Sequence, residues 1–174
     1  MLKFKMMNKK AISIMLGYVL LTIIAIFMST AVYLWIKLYV PSEIPECSDG
    51  VSLFLEEVKC QSGSKLNVTV KNNGLFSVAG YYIYITNNSN QKIADKDLSP
   101  NITSGGISAE GFIRFTYAIN NSLVPGNPQQ SIFLISGNVA RIQIIPVRYE
   151  EVNNKLYPVS CGNSKIEEKN INCT

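Results

Sequence analysis

The chain of 174 residues contains 16 lysines and arginines, 12 aspartates and glutamates and no histidine, which gives a net charge of +4. The absence of histidine excludes Ser-His-Asp and Cys-His catalysis and the HExxH zinc motif, and no G-x-S-x-G, P-loop or GxGxxG motif occurs. Four N-terminal lysines account for the excess of positive charge, so the remainder lacks the clustered basic face of a nucleic-acid-binding protein. We therefore predict no enzymatic activity, no cofactor and no nucleic-acid partner.

A long apolar segment follows the N-terminal lysines. Residues 11–36 carry no charged side chain, and Lys37 ends the run. A helix of about 26 residues is about 39 Å long, enough to cross a hydrocarbon core of about 30 Å. We predict a positively charged leader over 1–11 and a transmembrane helix over 12–37. The lysines before the helix are Lys3, Lys5, Lys9 and Lys10. They predict a cytoplasmic N-terminus and an extracellular C-terminal part.

Neither a cleaved signal nor a buried helix fits the apolar segment as well. A cleaved secretory signal has an apolar region of about 7–15 residues, and although Ser29-Thr30-Ala31 offers small residues for cleavage, residues 32–36 continue the run without a break. A buried helix of a soluble protein keeps a polar stripe, which this segment lacks. Tyr33, Trp35 and Tyr39 cluster at its outer end, as in an aromatic belt at a membrane interface.

The rest of the chain is predicted to be all-β. Residues 38–46 contain Pro41 and Pro45 and form a short stalk, and 47–174 form one domain. Short segments rich in alternating, β-branched or aromatic residues predict about eight strands. They are 51–58, 66–71, 81–86, 112–117, 132–135, 139–149, 156–159 and 165–171. Many short strands separated by turn signals favour an immunoglobulin-like β-sandwich.

Three local signals add detail to this scheme. Residues 95–111 are polar and glycine-rich and are predicted to be a loop. Pro146 within the longest strand implies a sheet edge or a bulge. Asn153-Asn154 is predicted to turn the hairpin that follows.

The four cysteines predict two disulfides outside the cytoplasm. They show no CxxC spacing that would indicate a metal site, and none is predicted. The strand 51–58 spans about 26 Å, so Cys47 and Cys60 cannot meet across it; Cys161 and Cys173 flank the last strand in the same way. Laying the first strand antiparallel to the last predicts the bonds Cys47–Cys173 and Cys60–Cys161.

Two further sets of residues are candidates for function. The sequon Asn-x-Ser/Thr predicts N-glycosylation of a surface domain at Asn67, Asn87, Asn101 and Asn120. The last three lie in predicted loops and Asn67 on the outward face of its strand. Within the apolar helix, small side chains permit close helix contact at Gly17, Ala25 and Ser29.

The N-terminal block Lys9-Lys10-Ala11-Ile12-Ser13, followed by the apolar helix, resembles the class III signal of archaeal type IV pilin-like proteins. The resemblance implies that a prepilin peptidase recognises Lys9, Lys10 and Ala11 and cleaves before Ile12. It also implies that the freed helix packs with other copies, or with other pilin-like subunits, into a filament. The segment 65–73, a strand ending in Asn-Asn-Gly, resembles immunoglobulin-like adhesion domains of archaeal surfaces.

The block also departs from the family's pattern. The glutamate familiar at the fifth mature position of bacterial pilins falls at Leu16, and Ser13 is followed by Ile14 and not by proline.

Three functions follow as hypotheses. The first is a structural, pilin-like subunit of a cell-surface filament that is inserted in the cell membrane before assembly. The alternative is a monomeric single-pass membrane protein whose outer domain binds carbohydrate or protein. A membrane-anchored enzyme is disfavoured by the absence of histidine.

Overall fold

The computed structural model describes residues 9–39, 45–61, 64–88 and 90–173. The chain divides into two compact units, Met1–Ile44 and Pro45–Thr174. The first contains a single described helix, and the second is all-β. This is the predicted class, one N-terminal apolar helix followed by a β-domain.

Helix α1 (Lys9–Tyr39) is longer at both ends than the predicted 12–37. Lysine and leucine are good helix formers, and the first proline after the apolar run is Pro41, so no residue near 9–11 or 38–39 stops the helix. Tyr39 therefore belongs to the helix and not to the predicted stalk, most of which lies outside the described residues.

The second unit, called the β-unit below, contains eleven strands within its described residues, more than the eight predicted. They are β1 (Leu53–Gln61), β2 (Lys65–Asn72), β3 (Gly80–Thr86), β4 (Lys96–Asp97), β5 (Ile102–Ser104), β6 (Ile107–Ala109), β7 (Phe112–Arg114), β8 (Pro128–Leu134), β9 (Val139–Val152), β10 (Lys155–Ser160) and β11 (Ile166–Cys173).

The strands form two antiparallel sheets. The first has the order β1-β2-β8-β5, and the second has the order β10-β9-β3-β7-β6, with β11 also paired to β9 and β4 to β3. The core lies between the sheets, where alternate residues of each central strand are fully buried. Its largest members include Leu66, Phe133, Tyr81, Ile83 and Ile144. An immunoglobulin-like sandwich is compatible with this arrangement.

The segment 95–111, predicted to be a loop, instead carries the chain from one sheet to the other. It contains β4, a 3-10 turn (Ser99–Asn101), β5 and β6. Gly105 has φ +85°, and a Cβ there would lie 1.9 Å from the Gln130 carbonyl oxygen of β8; a Cβ on Gly106 would lie 2.8 Å from the Arg114 oxygen of β7. The glycines that suggested a loop allow the backbone to cross closely between the sheets.

The predicted disulfide pairing is wrong. The structure joins Cys47 to Cys161 and Cys60 to Cys173, with Cα–Cα distances of 5.3 and 5.5 Å. The prediction treated the first and last strands as antiparallel neighbours, whereas β1 and β11 are edge strands of different sheets and run in the same direction. The exclusion of a bond between Cys47 and Cys60 is confirmed. The two disulfides close the side of the sandwich opposite the Gly105–Gly106 crossing.

Pro146 lies neither on an edge strand nor in a bulge. It pairs with Tyr81 of β3 on one side, while on the other side the partner of β9 changes from β11 to β10. The Pro146 carbonyl accepts a hydrogen bond from the Cys161 N–H on that second side. Because the nitrogen and the carbonyl of one strand residue point to the same side, the proline nitrogen also faces the gap between β10 and β11. The predicted Asn153-Asn154 turn is confirmed: both residues have positive φ and close the β9–β10 hairpin.

Candidate functional site

The surface of α1 is apolar on every side. Its large hydrophobic side chains between Met15 and Tyr39 are 47–84% exposed, and this 25-residue segment has a mean hydropathy of 2.3. Its length and composition fit a membrane anchor or a signal sequence. A surface of this kind requires either lipid or other helices around it.

The C-terminal end of α1 carries paired aromatic and cationic side chains. Trp35 and Tyr39, one turn apart, have ring centroids 5.1 Å apart, and the Lys37 Nζ lies 6.0 Å from the centre of the Tyr33 ring. Amphipathic side chains of this kind are enriched where a helix meets a membrane–water interface. The C-terminal end of α1 is therefore suited to a headgroup region.

Thr22 and Thr30 of α1 use their hydroxyl groups in hydrogen bonds within the described helix, whereas Ser29 does not. Thr22 donates to the Val19 carbonyl at 2.8 Å, and Thr30 donates to the Phe27 carbonyl at 2.9 Å. Such bonds to the helix's own backbone remove the cost of an unpaired hydroxyl in lipid. Ser29 makes no hydrogen bond within the described part of the chain, so its hydroxyl is open to a neighbour.

The remaining residues predicted for the helix are located as follows. Lys9, Lys10, Ala11 and Ile12 form the beginning of α1, and their role in cleavage stays a prediction. A Cβ on Gly17 would meet nothing within 4 Å. The small size of Gly17 therefore has no packing role within the described part of the chain.

The structure separates the predicted glycosylation sites by accessibility. Asn87 and Asn120 are exposed, whereas the Asn101 amide nitrogen donates to the Leu134 carbonyl at 2.9 Å. Asn67 alternates with the core residues Leu66 and Val68, as predicted for an outward position, but it is only 9% exposed. Because β2 is flanked by β1 and β8, even its outward face is covered.

The free edges of β1 and β11 face a groove of about 410 Å³, and half of the residues that line it are charged: Glu56, Glu57, Glu168 and Lys169. The register of β1 shifts between Leu55 and Glu57, and Glu57 forms an ion pair with Lys59. Bulges and charges protect exposed strand edges from pairing with other chains. This groove is therefore better explained as edge protection than as a binding site.

A row of polar side chains around a tyrosine crosses the outer face of the second sheet. The strand register places Glu167 beside Gln143, Gln143 beside Tyr84, and Tyr84 beside Asp97. The Glu167 Oε1 atom accepts from Gln143 Nε2 at 3.2 Å and lies 2.8 Å from Lys165 Nζ. The hydrogen bond from Lys165 lowers the pKa of Glu167 below its usual value, so this carboxylate is ionised at neutral pH.

An aromatic row lies next to the polar one. Tyr82 and Tyr84 have nearly parallel rings, 11° apart, with centroids 6.4 Å apart, and Tyr82 also contacts the buried Phe112 at 5.5 Å. Burial, together with the nearby Tyr84, Glu110 and Tyr149, raises the pKa of Tyr82, so this phenol is neutral. The alternation of Tyr82 and Tyr84 with Ile83 and Ile85 was the only sequence signal of this surface; its polar neighbours come from three different strands.

Comparison of the chain with protein-family models, with curated proteins and with solved structures gives no significant match. In the described part of the chain, no group of three or more Cys, Asp or Glu side chains is placed to hold a metal ion. The function therefore has to be inferred from α1 and from the surfaces of the β-unit.

Proposed function

We propose that this protein is a pilin-like structural subunit of an archaeal cell-surface filament, held in the cell membrane by α1 before assembly. The observation that carries the proposal is that α1 is apolar all round and exposed on every side. In the membrane, lipid covers this surface. In a filament, the same surface of neighbouring subunits would cover it.

The leader supports the same proposal. Four lysines precede the apolar helix, and Lys9-Lys10-Ala11 leads directly into it, as in the class III signal. In this proposal the lysines stay in the cytoplasm, a prepilin peptidase cuts after Ala11, and the β-unit faces the cell exterior, where its two disulfides form. N-terminal peptide mass spectrometry of the native protein should find Ile12 as the first residue. Intact peptides spanning Lys10 to Ile14 as the main species would contradict cleavage.

Ser29 and Ala25 mark the proposed helix contact. They lie one turn apart on the same face of α1, and the Ser29 hydroxyl lacks a partner within the described residues, unlike those of Thr22 and Thr30. Small residues at this spacing let helix backbones approach closely, and a neighbouring helix can supply the missing hydrogen bond. Ala31 lies about 200° around the helix from Ser29 at 100° per residue, on the opposite side.

The test is assembly in cells that carry bulky substitutions in α1. Ala25→Phe and Ser29→Phe keep the helix apolar, so insertion into the membrane should be unchanged while close approach is blocked. The matched control is Ala31→Phe, the same kind of change on the opposite side. We expect at least a tenfold loss of sheared filaments for the first two variants, with wild-type membrane levels for all three. Equal filament yield from wild type, Ala25→Phe and Ser29→Phe would refute the proposed contact.

The second candidate is a monomeric, single-pass surface protein with an outward binding domain. The outer face of the second sheet, which carries the partly exposed Tyr82 and Tyr84, favours this candidate. In that case the Phe variants behave as wild type, because lipid adapts to a bulkier helix. Wild-type protein found only in the membrane fraction, with no sheared or high-mass species, would support this candidate over the filament subunit.

A further inference from the structure

We propose that the outer face of the second sheet is a binding site for a neutral oligosaccharide, formed by Tyr82 and Tyr84 with Glu167 and Asp97 on either side. The inference does not depend on filament assembly, since both a filament subunit and an anchored module would present this face. It rests on the two partly exposed, parallel tyrosine rings, on the oxygen atoms beside them and on the charge of the surface.

The aromatic part of the site is built for stacking. Tyr82 and Tyr84 are two residues apart on one strand, so their side chains leave the same face of the sheet, and both are partly exposed. Their rings are nearly parallel, and contact with the buried Phe112 holds Tyr82 in place. Partly exposed aromatic rings offer apolar surface to the C–H face of a sugar ring, and a ring that is already held in place loses little side-chain freedom on binding.

The polar part of the site has acceptors that are fixed at one oxygen and open at the other. Both Lys165 and Gln143 contact the Glu167 Oε1 atom. On the other side of Tyr84, the Asp97 Oδ1 atom accepts from the Ser99 N–H at 2.8 Å. Glu167 Oε2, Asp97 Oδ2 and the Tyr84 hydroxyl form no hydrogen bond within the described residues. Three positioned groups of this kind match the donors and acceptors of sugar hydroxyls.

The dimensions and charge of the row define the ligand class. Glu167, Gln143, Tyr84 and Asp97 lie on four adjacent strands, so the row is about 14 Å long at about 4.8 Å per strand. That length suits several linked sugar rings lying across the strands. The open oxygen atoms at both ends of the row belong to carboxylates, which accept hydrogen bonds from sugar hydroxyls but cannot hold an anionic group, and Lys165 is already paired with Glu167. A neutral polysaccharide is therefore favoured over an anionic one.

The experiment measures retention of the full chain on biosensor surfaces that carry immobilised polysaccharides. The chain is kept in polyoxyethylene detergent micelles, because detergents with sugar headgroups would compete for the site. The surfaces carry dextran, mannan, laminarin or xyloglucan as neutral probes and alginate as the anionic one. We expect retention on at least one neutral surface and none on alginate.

Variants assign the retention to this face. Tyr84→Ala should weaken binding about tenfold through loss of one stacking contact, whereas Tyr84→Phe, which keeps the ring, should retain most of it. Phe54→Ala is the matched control, since Phe54 is an exposed aromatic residue of the other sheet, and it should bind as wild type. Glu167→Gln, which keeps the size and shape of the side chain, should also weaken binding and supports the site even if Tyr84→Ala fails to fold.

Several results would overturn the proposal. They are the absence of retention on all four neutral surfaces, retention on alginate alone, and equal retention of wild type, Tyr84→Ala and Glu167→Gln. A change in oligomeric state for Tyr84→Ala, without any glycan binding by wild type, would instead identify this face as a contact between copies of the chain. Failure here leaves the filament proposal intact, because that proposal is tested through α1.

Discussion

Removal of one disulfide should destabilise the β-unit by a similar amount whichever bond is removed. The bonds join residues 114 and 113 apart in the sequence. In the chain-entropy description, the first closure of such a loop stabilises by about 4.8 kcal/mol at 25 °C. When the Cys47–Cys161 bond is already present, the Cys60–Cys173 bond closes a much shorter loop. This loop runs from Cys60 back to Cys47, crosses the first disulfide to Cys161 and continues to Cys173. Closing this loop of about 25 residues stabilises the fold by about 3.5 kcal/mol.

The variants are C47A/C161A, C60A/C173A and the chain that lacks all four cysteines. Alanine is preferred to serine because Cys161 and Cys173 are almost fully buried, and a hydroxyl there would add its own desolvation cost. Either pair should lower the free energy of unfolding by about 3.5 kcal/mol, with a smaller addition from lost packing. The fourfold variant loses about 8 kcal/mol, comparable to the total stability of a domain, and should show no cooperative transition.

The assay is urea unfolding of residues 45–174, followed by circular dichroism, with non-reducing peptide mapping to verify the bonds. A loss below about 1 kcal/mol for either pair would refute the argument from loop length. A difference above about 2 kcal/mol between the two pairs would refute the claim that they close a common path. A peptide that links Cys47 to Cys60 would show that the pairing itself is different.

Three smaller predictions concern the β-unit. Gly105→Ala should destabilise by more than about 2 kcal/mol in urea unfolding, because a Cβ there meets the Gln130 oxygen at positive φ, whereas Gly137→Ala, with similar φ and open space, should lose less. Asn121→Ala should cost about 1–3 kcal/mol in the same assay, since the Asn121 amide pairs with both the N–H and the C=O of Tyr149; the exposed Asn120→Ala is its control. Lys165→Met should raise the pKa of Glu167 toward its usual value, measured by NMR titration, because the hydrogen bond from Lys165 is the main cause of the lowered pKa. Because that pKa is lowered in the folded state, its contribution to stability is present above the unfolded pKa and is lost as the pH falls through the folded one.

The helix and the long strands could be predicted from the sequence because their patterns of apolar residues are unambiguous. The helix is apolar on every side, and the long strands alternate apolar and polar residues. An uninterrupted apolar run of this length can cross lipid only as a helix. Apolar residues at alternate positions, such as Leu66, Val68 and Val70, indicate a strand with one face buried. The Asn153-Asn154 turn was recognisable for a similar reason, since asparagine tolerates positive φ.

The relation between strands could not be predicted in the same way. The disulfide pairing depended on whether β1 and β11 run in the same or in opposite directions, and no local pattern contains that information. The three-residue strands β5 and β6 are too short for a period, and their glycines are there to let two backbones approach. The row formed by Glu167, Gln143, Tyr84 and Asp97 comes from four strands, and its members lie up to 83 positions apart in the sequence, from Tyr84 to Glu167. Only the strand register brings them together.

The last prediction concerns the glycosylation sites, which have the same sequence motif but differ in exposure to solvent. Asn67, Asn87, Asn101 and Asn120 share the same sequon, but only Asn87 and Asn120 are exposed, Asn101 uses its amide nitrogen in a bond to Leu134, and Asn67 lies within the sheet. A glycan on Asn67 would have to displace side chains of both neighbouring strands. Glycopeptide mapping of the native protein should therefore find sugars at Asn87 and Asn120 and none at Asn67. Occupied Asn67 in folded protein would mean that the outer face of the first sheet is more open than its burial indicates.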